Sequence, residues 1–122
     1  MGYYSEIAIA VKSEDYYKYF NGVEKLKTLL SYAVIKESKK HNVVIIHFDS
    51  IKWYRLDFED IQLVEDILIQ ISKEERPYSF VRIGEEYDDI ETRDYEGADG
   101  EFLNEYIYPV RYISIAADES FE

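Results

Sequence analysis

The sequence predicts an α+β fold in a single domain, and three observations carry that prediction. Residues 4–12 alternate, with Ile7, Ile9 and Val11 on one side and Glu6, Ala8, Ala10 and Lys12 on the other, the period-2 signature of a strand with one deeply buried face. Val43 to Phe48 is a near-continuous apolar run, as a central strand covered on both faces requires. Two further stretches place apolar residues at three- and four-residue steps, the period of an amphipathic helix.

The elements follow in order. After the first strand, Ser13 stands where a helix cap is wanted, with Glu14 and Asp15 at the positive end of the helix dipole. Tyr16, Tyr19, Phe20, Val23, Leu26 and Leu30 supply the buried stripe, and Asn21-Gly22 inside it predicts a bend or a split. Residues 33–38, the polar turn 39–42 and the run from Val43 to Trp53 read as a hairpin. Asp57 is the expected cap of the second helix, Leu56 its staple onto Ile61, and Ile61, Val64, Ile67, Leu68 and Ile71 its buried face. Arg76-Pro77 ends it, since the residue before proline avoids the helical region. Tyr78 to Ile83 is a fourth strand closed by Gly84, Tyr87 to Tyr95 an acidic fifth, and Gly97-Ala98-Asp99-Gly100 a turn. Ile107 to Ala116 reads as a sixth strand, and the tail from Ala117 as frayed. The order is βαββαβ followed by ββ. This is the ferredoxin-like pattern of an antiparallel sheet with two helices on one face, plus a C-terminal acidic two-strand extension.

Length and composition agree. A chain of 122 residues is one domain by size and buries roughly two-thirds of its unfolded surface. It has no cysteine, which excludes a disulfide framework and thiolate chemistry. It shows neither a membrane-spanning apolar run nor a basic-then-apolar leader, so a soluble cytoplasmic protein is expected. The formal charge is −12, which argues against direct binding to nucleic acid or anionic membrane.

That charge is unevenly placed. Residues 1–84 hold 13 acids and 12 bases, a near-neutral body at −1, whereas residues 85–122 hold 13 acids against Arg93 and Arg111, a net of −11. Such asymmetry points to a partner rather than to folding. Within 85–105 lie ten acids and one arginine. On a strand, alternate carboxylates are about 6.7 Å apart, close to the spacing of successive phosphates on one nucleic-acid strand. Glu85, Glu86, Asp88, Asp89, Glu91, Asp94 and Glu96 are therefore candidate phosphate surrogates for a protein with a basic nucleic-acid-binding surface. Edge protection against aggregation is the plain alternative. Trp53, Tyr106 and Tyr108 are candidate interface anchors beside this rim, or a second small core beneath the C-terminal strands.

Metal and catalytic motifs are weak. Asp94, Glu96 and Glu105 imitate positions 1, 3 and 12 of a calcium loop, but Ala98 and Asp99 occupy the positions that need an oxygen ligand and a glycine. His47 and Asp49 share a strand face without an accompanying nucleophile. With Glu6, Ala8 and Ala10 they would line a shallow open sheet face able to take a nucleotide or other small ligand. No phosphate loop, nucleophile elbow or zinc-protease motif occurs. A non-enzymatic protein with no cofactor and no metal is expected.

Residues 1–6, the block from His47 to Tyr54 and the block from Phe80 to Glu91 resemble small acidic proteins encoded by bacteriophages, of the host-defence-inhibitor type. The resemblance implies a host-facing phage protein that inhibits a defence or nuclease protein in the host cytoplasm, in some such proteins by DNA mimicry. An immunity or adaptor protein capping a basic toxin or enzyme is the alternative, and a homodimer through the free sheet edges is compatible with both.

Overall fold

The computed structural model describes residues 2–109 and 113–115. It is an α+β fold with a five-stranded antiparallel sheet, three helices and a separate two-stranded ribbon. Strand β1 (Ser5–Lys12) leads to α1 (Ser13–Tyr19), a 3-10 turn (Glu24–Leu26) and α2 (Lys27–Ser31). Strands β2 (Val34–Ser38) and β3 (Val43–Ile51) form the first hairpin; α3 (Glu59–Lys73) then crosses to β4 (Tyr78–Ile83) and β5 (Ile90–Tyr95). The ribbon is β6 (Ile107–Pro109) with β7 (Ile113–Ile115). The sheet order is β2-β3-β1-β4-β5, so the first strand in the chain is the centre of the sheet.

Alternation along the strands gives the sheet two buried faces. Ile7, Ile9, Val11, Val44, Ile46, Phe48, Tyr78 and Phe80 meet Tyr16, Phe20, Leu26 and Leu29 from the first helical segment and Ile61, Val64, Leu68 and Ile71 from α3. On the opposite face Ala8, Ala10, Val43, Ile45, Val81 and Ile83 are covered by Leu103, Tyr106 and Ile107. The small alanines of β1 leave room for this second layer, which stands where an open face was expected.

Several expectations are corrected in detail. The first helix is split, one of the two outcomes expected at Asn21-Gly22, because Gly22 adopts φ +76° and forces the chain out of the helix. Asp57 does not cap α3: Phe58 is the capping residue, without a side-chain cap bond. The amides of Asp57 and Phe58 both bond the Tyr54 carbonyl, and this tight turn throws Leu56 outward at 93% exposure, so it staples nothing. The helix ends at Lys73, before Arg76-Pro77, through Glu75 at φ +58°. The fifth strand starts at Ile90 rather than Tyr87, since Gly84, Asp89 and Ile90 donate their amides within an 84–90 turn. It joins the edge of the main sheet and extends it to five strands, whereas the last strands pair with each other in the ribbon. The single last strand expected over 107–116 is instead two short strands paired with each other. Arg111 and the tail expectation from Ala117 lie outside the described residues. Among the described residues no helix is long and apolar enough to cross a membrane.

Candidate interaction surface

β5 is positioned by register. Arg82 lies opposite Glu91, Phe80 opposite Arg93 and Tyr78 opposite Tyr95, all on the helix-covered face. Where α3 no longer covers that face, charged groups replace the apolar core. Glu65 on α3 is buried and accepts from the Trp53 indole N–H (2.9 Å), Arg55 Nε (2.7 Å) and Arg93 Nη2 (2.8 Å). Glu91 accepts from Arg55 Nη2 at 2.7 Å and Arg82 Nε at 3.1 Å. Arg82 closes a bidentate pair on Asp89, with N–O distances of 2.6 and 3.0 Å. The Arg93 guanidinium lies 4.1 Å from the Phe80 ring centroid, a cation–π contact at the seam between apolar and charged layers. Three arginines thus balance three carboxylates, and the network is internally neutral.

Asp89 has a second tether. The Tyr3 hydroxyl donates to its carboxylate at 2.6 Å, and the Glu86 amide donates back to that hydroxyl. A Cβ at Gly84 would collide with both the Tyr3 hydroxyl and the Asp89 carboxylate, so the clasp needs glycine there. The hydrogen bonds from Arg82, and then Tyr3, hold Asp89 at a pKa of about 2. Tyr3 is raised by the same carboxylate. At Glu91 burial favours the neutral form, but the Arg55 and Arg82 hydrogen bonds outweigh it and lower the pKa.

The candidate surrogates therefore fall into two groups. Asp89 and Glu91 do share a face, but arginines neutralise them, so they build the edge rather than offer charge to a partner. Glu85, Glu86 and Asp88 are exposed in the turn at one end of β5, and Asp94 and Glu96 are exposed at the other. Glu85 accepts the Tyr4 amide and Asp94 accepts the Ser79 hydroxyl, which orient these side chains without cancelling their charge. Among the described residues none of these five is in a salt bridge with a lysine or arginine, whereas Glu101 is paired with Lys12 at 2.9 Å.

The aromatic candidates separate as well. Trp53 is 7% exposed and tied to Glu65, packed between Phe48 and Phe80; it is core, because the α3 carboxylate gives its N–H a buried acceptor. Tyr106 is buried in the second layer, and only Tyr108 is exposed. Tyr4, an exposed aromatic that adjoins Glu85, was not singled out from sequence, and it opens onto a wider aromatic groove. An open groove of about 760 Å³ is lined by Tyr4, Tyr32, Lys52, Phe58 and Ile61, and a neighbouring hollow joins Tyr4 and Lys52 to Glu85. Tyr32 and Phe58 fall off the helical stripes; that was the available signal.

His47 and Asp49 project from the second face at its uncovered end. His47 Nε2 lies 2.7 Å from Glu6 Oε2 and 3.7 Å from Asp49 Oδ1. No family model matches this chain, and neither the curated proteins nor the solved structures contain a match.

Proposed function

We propose that this protein is a non-enzymatic inhibitor that occupies a basic, nucleic-acid-binding site on a defence or nuclease protein, as a phage-encoded protein acting in the host cytoplasm would. One observation carries the reading: among the described residues five exposed carboxylates without an arginine or lysine partner stand at the two ends of a strand whose inward charges, Glu91 and Arg93, are locked in a neutral network. Ile90 to Tyr95 spans about 17 Å, a length over which duplex DNA presents about ten phosphates. Glu85, Glu86 and Asp88 at one end and Asp94 and Glu96 at the other act as the surrogates, and Tyr4 beside Glu85 supplies apolar contact. Asp89 and Glu91 hold the strand that carries them. The underlying sheet is read as a ferredoxin-like core, β2-β3-β1-β4, to which β5 has been added as the binding edge.

The test separates binding from stability. The variant with Glu86→Gln, Asp88→Asn, Asp94→Asn and Glu96→Gln should unfold within about 2 kcal/mol of wild type, at most about 0.5 kcal/mol for each exposed substitution. From a bacterial lysate at low salt, wild type should retain a nucleic-acid-binding protein that duplex DNA displaces and that the variant fails to retain. Equal retention by the variant, or a captured protein indifferent to DNA and salt, sinks the mimicry.

A further inference from the structure

We propose a divalent transition-metal site, of the zinc class, formed by Glu6, His47 and Asp49 at the uncovered end of the second sheet face. His47 and Asp49 are two residues apart on β3 and so point to one side. Glu6 reaches them from β1 at an irregularity in the ladder. Ser5 pairs with Ile51 and Ile7 with Phe48, so Asp49 and Ser50 together oppose Glu6 alone. Such a bulge re-aims side chains, and bulges recur beside functional sites.

The result is one imidazole and two carboxylates whose donor atoms all lie within 4.8 Å of one another. This donor set suits zinc and its neighbours in the first transition series. Zinc bonds of about 2.1 Å in a tetrahedral arrangement set donors about 3.4 Å apart. The 3.7 Å between His47 Nε2 and Asp49 Oδ1 is already near that spacing, and the 2.7 Å to Glu6 has only to open slightly.

The surroundings favour a cation. Two carboxylates brought together across adjacent strands repel. The ladder neighbours on this face are apolar, Ile83 beside Glu6 and Val34 beside His47. Among the described residues Asp49 has no salt bridge to a lysine or arginine, its only recorded ionic contact being His47. Glu6 and His47 are half-buried on the two central strands, which fixes their geometry, while the Asp49 side chain is 86% exposed. An ion would enter from that side and keep open positions toward solvent, as three-ligand sites do.

The chain has two histidines, so the site can be read directly. Titrated with zinc chloride, wild type should take up one equivalent and gain thermal stability. Substoichiometric cobalt chloride should perturb the His47 ring resonances far more than those of His41. His47→Gln and Asp49→Asn should each weaken zinc binding about tenfold or more, since even residues that only orient a ligand cost that much. His41→Gln should bind as wild type. Asp49 is exposed, so Asp49→Asn keeps the fold and the test survives any failure of His47→Gln to fold. No saturable uptake, equal uptake by Asp49→Asn, or equal perturbation of both histidines overturns the site.

Discussion

The two outer edges of the sheet meet the same hazard differently. β2 is short, and four of its five residues are exposed, Val34 and Ile35 among them. One turn-side serine is buried, and Glu37 accepts from Tyr17. β5 is also an outer strand, with four of its six residues exposed, yet its inward side chains enter a network reaching α3, the segment after β3, and β4. An edge strand invites pairing with other chains. At β2 the protection is brevity with Lys36 and Glu37; at β5 it is charge anchored to the core. The difference teaches that the acidity of residues 85–96 is two things, a neutral clamp and a rim that, among the described residues, has no arginine or lysine partner.

This contrast can be broken at its centre. Glu65→Ala leaves the buried Trp53 indole N–H without its acceptor and leaves Arg55 and Arg93 only Glu91 as a partner, and should destabilise the fold by roughly 2 kcal/mol in a urea titration. It should also shift the emission of the single tryptophan to longer wavelength. A loss below about 1 kcal/mol would mean that the network behaves like scattered surface pairs. Trp53→Phe removes one hydrogen bond to Glu65 while keeping an aromatic ring, and about 1 kcal/mol should be lost by the same measurement. Smallest of the three, Ile35→Thr on the β2 edge should stay within about 0.5 kcal/mol; a larger cost would show β2 to be anchored after all.

Acid supplies a graded version of the same comparison. Asp89 has a pKa of about 2, against 3.8 for the free side chain. A carboxylate depressed by folding stabilises the native state fully above its unfolded pKa. That contribution fades as pH falls from about 4 toward about 2. The stability difference between wild type and Asp89→Asn should therefore be largest near neutrality and shrink across this window. A difference that is flat between pH 5 and pH 2, values bracketing that window, would show that the clasp with Arg82 and Tyr3 contributes nothing through charge.

How much of this was legible in the sequence depended on whether the signal was local. β1, β2, β3 and β4 came within a few residues of their observed bounds because alternation and apolar runs decide which face is buried. The Asn21-Gly22 break was visible because only a residue tolerant of positive φ ends a helix there cheaply. What escaped was set by distant partners. Nothing near Trp53 announces that Glu65 will accept its N–H, nor does anything near Asp89 announce Arg82 and Tyr3. Uniform acidity along 85–105 therefore looked like uniform availability. The aromatic groove was missed for the same reason: Tyr4, Tyr32 and Phe58 come from three separate segments that only the fold brings together.

The position of β1 has a kinetic consequence. Ile7 pairs with Phe48 on one side and Arg82 on the other, so the strand made first stays unpaired on one side until β4 has been made. During synthesis its apolar face waits for partners dozens of residues away, and no local hairpin can shield it. Folding dominated by such distant pairings is slow for a chain of this size. The nascent Ile7-Ala8-Ile9-Ala10-Val11 segment is then the stretch most exposed to misassociation or chaperone capture before β3 and β4 pair with it.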